Sequence, residues 1–514
     1  MLREEIKKLI EKTVKELYKT EIEAKIDQPE NADFGDYSTN VAMLLKKNPQ
    51  EIAGAIKSPV LEKIEVKNGF INFFISKEYL RKQVSGILKQ GQSFGELRTG
   101  RGQKINVEFI SANPTGPLTL GNGRGGFCGD VLANVLEKAG YKTTREYYIN
   151  DVGEQVRKLG HSVLGDSEAI YNGSYIDDLK KRIKERDSEK AGEAAGKIIL
   201  EEMIKPIIKK MGIKFDVWFS EKGLEQKKEK EKVLDFLKKK GLTYESEGAL
   251  WFKSAQFGDD KDRVLIKADG ETTYFLSDIA YLKNKFQRGF NRLVFFWGAD
   301  HFGYIGRIKA AAEALSFKKE EIDIIIMQLV QLMQGGQEVK MSKRSGIYVT
   351  IDELIDEVGL DVARFFFLTR SSDSHLNFDL DLAKEQSEKN PVYYIQYAHA
   401  RICSILAKFK IQKSKIKITD KNSKLLIHQS ELSLIKQLIR LPEVVEDTAK
   451  DYQVQRLPQY AQDLATSFHQ FYRDCKVLSE VEGLTQARLT LISATKIVLK
   501  NTLDLMGISA PEKM

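Results

Sequence analysis

From Lys104 onward short apolar strands alternate with helices, and that alternation restricts the chain to a parallel α/β sheet. Ile105–Ile110 reads as a strand, 125–139 as a helix and Arg145–Ile149 as a second strand. Arg263–Lys267, Arg292–Trp297 and Ile322–Gln328 follow as further short apolar strands, with a helix over 305–315 between the last two. The highly charged stretch 175–245 interrupts the pattern and reads as surface helices inserted between the halves of the sheet.

Different textures flank this region. Residues 1–98 open on a charged amphipathic helix and close on the alternation Phe70–Ile75, as a small α+β module does. After about Asp361 no strand pattern is left, and helical periods such as Leu434, Ile435, Leu438, Ile439 run to the end. The expected division is therefore an α+β module over 1–98, a Rossmann-type domain over 99–360 and an all-α bundle over 361–514.

Charge supports that division. Of the net +8, a net of +6 lies in Pro391–Met514, which holds 18 Lys and Arg against 12 Asp and Glu. Lys408, Lys410, Lys413, Lys415, Lys417, Lys421 and Lys424 concentrate it, either as a solvated loop or as a surface for nucleic acid. Composition closes other classes. Charged residues make 30% of the chain with both signs interspersed, and aromatics 9%, which excludes global disorder. No run approaches a membrane span, and the first residues form a charged helix rather than a signal peptide. Cysteines at 128, 403 and 475 build neither a disulfide framework nor a CxxC site, so no structural zinc and a cytoplasmic location are expected.

Gly121-Asn122-Gly123-Arg124-Gly125-Gly126 satisfies GxGxxG, with Glu146 about twenty residues beyond. In a dinucleotide site the first glycine belongs to the turn leaving the strand. Here Ser111 to Leu120, including Pro114 and Pro117, intervene. A Walker loop at Gly192–Lys197 fails too, because Ile198 stands where a hydroxyl should hold magnesium. What survives is a glycine-rich segment opening a helix, with backbone N–H groups available for phosphate. A second basic loop, Gly335–Gly346, carries Lys340, Lys343 and Arg344 between glycines and suits a clamp on a polyphosphate. Together the two segments point to nucleotide chemistry.

These residues resemble the arginyl-tRNA synthetases, a family of class I aminoacyl-tRNA synthetases. VEFISANPTGPL at 107–118 is close to that family's approach to its HIGH motif, and KMSKR at 340–344 to its KMSKS motif. The similarity continues through GDYSTNVAM, FDVWFSE, DGETTYFLSDIAY, WGADHFGYIGRIKAA, NPVYYIQYAHARICSI and the closing LDLMGISAPEKM. The resemblance implies a first module that touches the tRNA elbow, a Rossmann catalytic domain and a helical anticodon-binding domain. It also implies activation of L-arginine by ATP with Mg²⁺ to arginyl-adenylate, then transfer to tRNA(Arg), with tRNA generally needed for activation. The chain is expected to act as a monomer, without a membrane partner.

Residue roles follow from the same resemblance. Lys340, Lys343 and Arg344 would neutralise the leaving pyrophosphate, with Met341 and Ser342 at the nucleotide. The HIGH motif departs from His-x-Gly-His and reads Thr119-Leu120-Gly121-Asn122. Gly121 keeps the close approach to adenine, and Thr119 and Asn122 offer only neutral hydrogen bonds to the phosphates. Gly123, Asp300 and His301 are further ATP candidates. Arginine recognition needs carboxylates facing a planar fork of donors; Glu108 and Asp278 match the family's acidic contacts, Asn113 and Tyr274 its polar ones. For Tyr274 ordinary core packing is the competing reading. Tyr394, Tyr397 and Arg401, with His399, combine stacking faces with a cation as single-stranded RNA requires, or belong to a helical core. The other histidines have no ligand-like clustering. Loss of both motif histidines leaves a second reading open, a catalytically impaired paralogue that binds tRNA.

Overall fold

The computed structural model describes residues 1–339, 350–412 and 420–514. At its centre lie five parallel strands in the order Ile322–Met327, Arg292–Gly298, Lys104–Glu108, Lys142–Ile149, Val217–Ser220. Numbered along the chain and read from the Val217–Ser220 edge this is 3-2-1-4-5, a Rossmann-type arrangement whose order reverses between Lys104–Glu108 and Arg292–Gly298. The central strands bury Ile105, Val107, Leu293 and Val294 almost completely, which explains the apolar run Leu293–Trp297, whereas Lys104–Glu108 alternates and buries Asn106 and Glu108 as well.

Helix Leu120–Lys138 packs against its neighbours so closely that Gly123, Gly126 and Gly129 are steric requirements. A Cβ on Gly129 would stand 2.3 Å from the Phe109 ring, and one on Gly123 would stand 2.6 Å from Ile351. Within the GxGxxG pattern Gly123 and Gly126 thus record tight packing, whereas Gly121 is exposed. The Walker-like Gly192 has a similar cause: helices Glu154–Leu164 and Ser188–Ile199 cross with backbones touching, and a Cβ there would meet the Val156 carbonyl oxygen at 1.9 Å.

Several sequence expectations change. The stretch 175–245 is not only surface helices, since Val217–Ser220 within it is the edge strand of the central sheet. Arg263–Ile266 does not join that sheet. It pairs antiparallel with Ala249–Phe252, which pairs with Thr243–Ser246, and these cover a satellite core containing Val233, Leu237, Phe252 and Leu265. Beyond Asp361 the described residues include one strand, Leu376–Asp379, lying parallel to Val330–Gln334.

The first part is an antiparallel sheet of Tyr37–Thr39, Phe70–Ile75 and Leu61–Lys67, covered by helix Leu2–Tyr18, whose Leu2, Ile6, Ile10 and Val14 form its buried stripe. It docks on the C-terminal helices. Arg3 pairs with Glu446 and Asp447, Tyr37 Oη donates to Glu443 Oε1 at 2.9 Å, and Asn501 Nδ2 donates to the carbonyls of Gly91 and Phe94. The last part comprises the described helices Pro391–Gln412, Asp420–Ser423, Gln429–Leu438, Leu441–Asp451, Arg456–Asp474 and Glu482–Met506. Of the lysine run, Lys413, Lys415 and Lys417 lie outside the described residues.

Arg364 joins the large parts. Its fully buried guanidinium donates to the carbonyls of Met211 at 2.7 Å and Met506 at 2.9 Å, and pairs with Asp130 of the Leu120–Lys138 helix. Arg364→Met leaves two carbonyls without their donor and Asp130, among the described residues, with Arg145 alone, 3.5 Å away. It is expected to cost about 3–5 kcal/mol, read as a fall in the urea midpoint of unfolding.

Candidate active site

Where the strand order reverses, a crevice of about 900 Å³ opens beyond the carboxyl ends of the strands. Glu108, Asn113, Thr119, Asn122, Tyr274, Asp278, Asp300 and His301 all line it, although they come from three separated segments of the sequence. Gly121 is exposed on the first turn of the helix, whereas Gly123 is buried against Ile351 and faces the packing interface instead of the crevice. Lys340, Met341, Ser342, Lys343 and Arg344 lie outside the described residues.

The strand carrying Glu108 stops there because Ile110 and Ser111 turn into the left-handed region at φ 66° and 40°. Such conformations in non-glycine residues, the first of them β-branched, store strain of the kind found at ligand sites. The loop to Leu120 then lines the crevice and is tied down by Tyr147 Oη, which donates to the Ala112 carbonyl at 2.8 Å, and Tyr175 Oη, which donates to the Thr115 carbonyl at 2.9 Å.

Thr119 and Asn122 form a capping box at the start of the helix. The Thr119 amide donates to Asn122 Oδ1 at 2.9 Å, the Thr119 hydroxyl reaches the same oxygen at 2.9 Å, and the Asn122 amide donates back to Thr119 Oγ1. Their side chains therefore hold the helix terminus, and the exposed first-turn N–H groups are what the site offers an anion. Thr350 bridges to Thr119, and the Ile351 amide donates to the Leu118 carbonyl at 3.1 Å, so the chain leaving the basic loop rejoins the fold beside this cap.

Helix Tyr274–Gln287 supplies the opposite wall. Tyr274, Asp278, Tyr281 and Lys285 recur at helical spacing and share one face. Tyr274 is half exposed at the crevice, and its hydroxyl accepts from the Glu154 amide at 3.0 Å, so it is not a core residue. Burial pushes the Asp278 carboxyl up to about 7, reinforced by the charges of Glu221 and Glu108 and opposed by the hydroxyl of Tyr304, to which Asp278 is hydrogen-bonded. Burial likewise raises Glu221. Asp300 and His301 stand exposed in the 3-10 turn Ala299–Tyr304 that follows the neighbouring strand.

Beneath the crevice lies a buried charge network that sequence reasoning missed. Lys285 pairs with Glu108 and Glu146, Arg288 makes two bonds to Glu146 at 2.6 and 2.8 Å, and the Tyr281 hydroxyl lies between the carboxylates. Burial disfavours charge on Glu146, but Lys285 and Arg288 overcome it and bring its carboxyl down to about 2. Glu146 had a sequence signal only for a ribose hydroxyl; its real partners are two cations. Lys285 carried a readable signal, seven residues beyond Asp278 on the same helical face.

In the C-terminal domain, Tyr394, Tyr397 and Arg401 share one face of helix Pro391–Gln412. The Tyr394 and Tyr397 rings lie 4.5 and 6.1 Å from the His469 ring, and the Arg401 guanidinium stands 5.0 Å over Tyr397 and 5.5 Å over Tyr472. His469 and Tyr472, from helix Arg456–Asp474, complete a cluster that the sequence does not assemble. Tyr397 and Tyr472 are exposed at 36% and 39%. His399 points away, buried, with Nδ1 2.8 Å from the Pro511 carbonyl oxygen.

Thr119→Ala removes the cap, which is worth about 1 kcal/mol, and should speed hydrogen exchange in the first turn of the helix about fivefold. Amide exchange read by mass spectrometry on the peptide spanning 119–127 checks this.

Comparison with known proteins matches each part. Family models described as the arginyl-tRNA synthetase N-terminal domain, the class I (R) tRNA synthetase catalytic domain and the DALR anticodon-binding domain cover residues 2–75, 83–193 with 181–373, and 395–514. The chain is 44% identical to the arginine–tRNA ligase of Carboxydothermus hydrogenoformans, covering 96% of this chain and 95% of that one. It is also 44% identical to that of Bacillus subtilis, covering 95% and 94%. The arginyl-tRNA synthetase structure of Thermus thermophilus superposes with a TM-score of 0.80 at 21% identity, covering all of both chains, and so shares the fold. The chain belongs to the arginyl-tRNA synthetase family.

Proposed function

We propose that this chain ligates L-arginine to tRNA(Arg) through an arginyl-adenylate. The observation that carries the reading is the meeting of Glu108, Asn113, Tyr274 and Asp278 in one crevice at the reversal of strand order. A carboxylate that is half-buried and a second one on the facing strand suit a guanidinium, which stays charged and needs acceptors in a plane. Binding would place the α-carboxylate of arginine toward the helix N-terminus at Leu120, where ATP, entering as its magnesium complex, finds backbone donors.

The chemistry is an in-line attack. An oxygen of the arginine carboxylate forms a bond to the α-phosphorus as the bond to the β-phosphate bridging oxygen breaks, and pyrophosphate leaves with its electron pair. A hydroxyl of the terminal adenosine of tRNA then attacks the carbonyl carbon and AMP departs. Positioning and charge stabilisation supply most of such a reaction. Thr119, Gly121 and Asn122 shape the anion-facing helix terminus, Asp300 and His301 flank the nucleotide, and Lys340, Lys343 and Arg344 neutralise pyrophosphate. Tyr394, Tyr397 and Arg401 offer stacking faces to anticodon bases. The division at 98 and 360 separates elbow-contacting, catalytic and anticodon-binding parts, with the chain acting as a cytoplasmic monomer. Among the described residues no helix is long and apolar enough to cross a membrane.

One observation favours the second reading, a catalytically impaired tRNA-binding paralogue: Thr119 and Asn122 are engaged with each other. Pyrophosphate exchange with labelled ATP and arginine separates the two. Exchange that depends on added tRNA(Arg) is the expected outcome; none in either condition favours the binder.

The state of Asp278 gives a second test. Only the ionised carboxylate attracts a guanidinium, and the empty site holds it near 7. Arginine affinity should therefore rise with pH and level off above neutrality, being about tenfold weaker at pH 6 than at pH 8. Calorimetric titration reads this directly. Asp278→Ala should abolish arginine binding at every pH.

A further inference from the structure

Lys285 is a fully buried ammonium that the adenylation chemistry does not use. Its Nζ stands 2.8 Å from Glu108 Oε2 and 3.1 Å from Glu146 Oε1, and it also meets Asn106 Oδ1. The Tyr281 hydroxyl lies 2.8 Å from the same Glu108 oxygen. The two oxygens of Glu108 are thus unequal. Oε2 is engaged below the crevice by an ammonium and by a phenol whose one proton is shared with Glu146 Oε1; among the described residues Oε1 meets only the Ser111 hydroxyl, at 3.3 Å, longer than an ordinary O–H···O bond. Oε1 has acceptor capacity left, and Glu108 lines the crevice. The network beneath is also neutral by itself, with Glu108 and Glu146 matched by Lys285 and Arg288.

We propose that Lys285 is the positioning residue of arginine recognition: with Tyr281 it locks Glu108 Oε2 to the pocket floor, so that Oε1 is the oxygen presented to the guanidinium. The inference rests on the reading of Glu108 as an arginine contact. Glu108 then supplies direction to the fork of donors, while Asp278, outside the neutral network, answers the positive charge. An orientation fixed before the substrate arrives spares the ordering of that carboxylate on binding.

Kinetics of tRNA-dependent pyrophosphate exchange, with thermal unfolding of each variant, test this. Lys285→Met should raise the arginine KM about tenfold, as loss of a charge-assisted hydrogen bond does, with the ATP KM and kcat unchanged. Because removing one cation leaves the floor unbalanced, Lys285→Met combined with Glu146→Gln restores neutrality. This pair should recover the wild-type unfolding temperature and keep the raised arginine KM. A folded Lys285 variant with an unchanged arginine KM overturns the proposal. So does a pair that recovers KM along with stability, or a parallel loss in arginine KM, ATP KM and kcat. Glu108→Gln tells the two levels apart. If it raises the arginine KM while the Lys285 variants do not, only the positioning role falls. If it leaves the arginine KM unchanged, the assigned contact itself falls.

Discussion

A single buried guanidinium holds the large parts of this molecule in register. Arg364 reaches the end of the inserted helices at Met211, the last helix of the chain at Met506 and, through Asp130, the helix whose N-terminus faces the crevice. A buried cation is costly unless every donor finds a partner, so its geometry is demanding. Gly507 shows how demanding, since a Cβ there would meet the guanidinium at 2.4 Å. The helix that opens on the crevice is therefore clamped from behind by residues far from its N-terminus, and its free end inherits a fixed direction.

What the sequence made legible follows the range of the interactions involved. Apolar runs such as Leu293–Phe296 announce buried parallel strands because their neighbours on both faces are apolar. The same signal at Arg263–Ile266 misleads, because a run of three apolar residues does not specify its partner. Its partner Ala249–Phe252 leaves a hairpin built on Glu247 and Gly248, both with positive φ. Such a turn is announced by Asn-Gly or Asp-Gly, and Glu-Gly escapes notice. Val217–Ser220 and Leu376–Asp379 are too short for a period to stand out.

The crevice shows the same division. Tyr274 and Asp278 were readable only through the family resemblance, and the fold sets them one helical turn apart on the face toward the crevice. Lys285 with Glu146, and His469 with Tyr394, are separated by dozens to more than a hundred residues and meet only in the folded chain. The glycines of GxGxxG were legible as a motif but not as a cause: a missing side chain looks alike whether it admits a phosphate or, as at Gly123 and Gly126, the side chains of Ile351, Met211 and Ile110. The sheet reversal decided which, by placing the crevice ahead of that helix and those side chains beside it.

The clasp between the first and last parts of the chain imposes an order on synthesis. Arg3 is made 443 residues before Glu446, and Tyr37 is made 406 residues before Glu443. At ribosomal speeds that gap is roughly 20–90 s. Throughout it, the face of the first module that will meet Glu443 is exposed and its cation unpaired, so the module completes its contacts only when almost the whole polypeptide has emerged. A chain broken off early keeps that face open to water and to quality control, and full length is written into the fold as a condition of its closure.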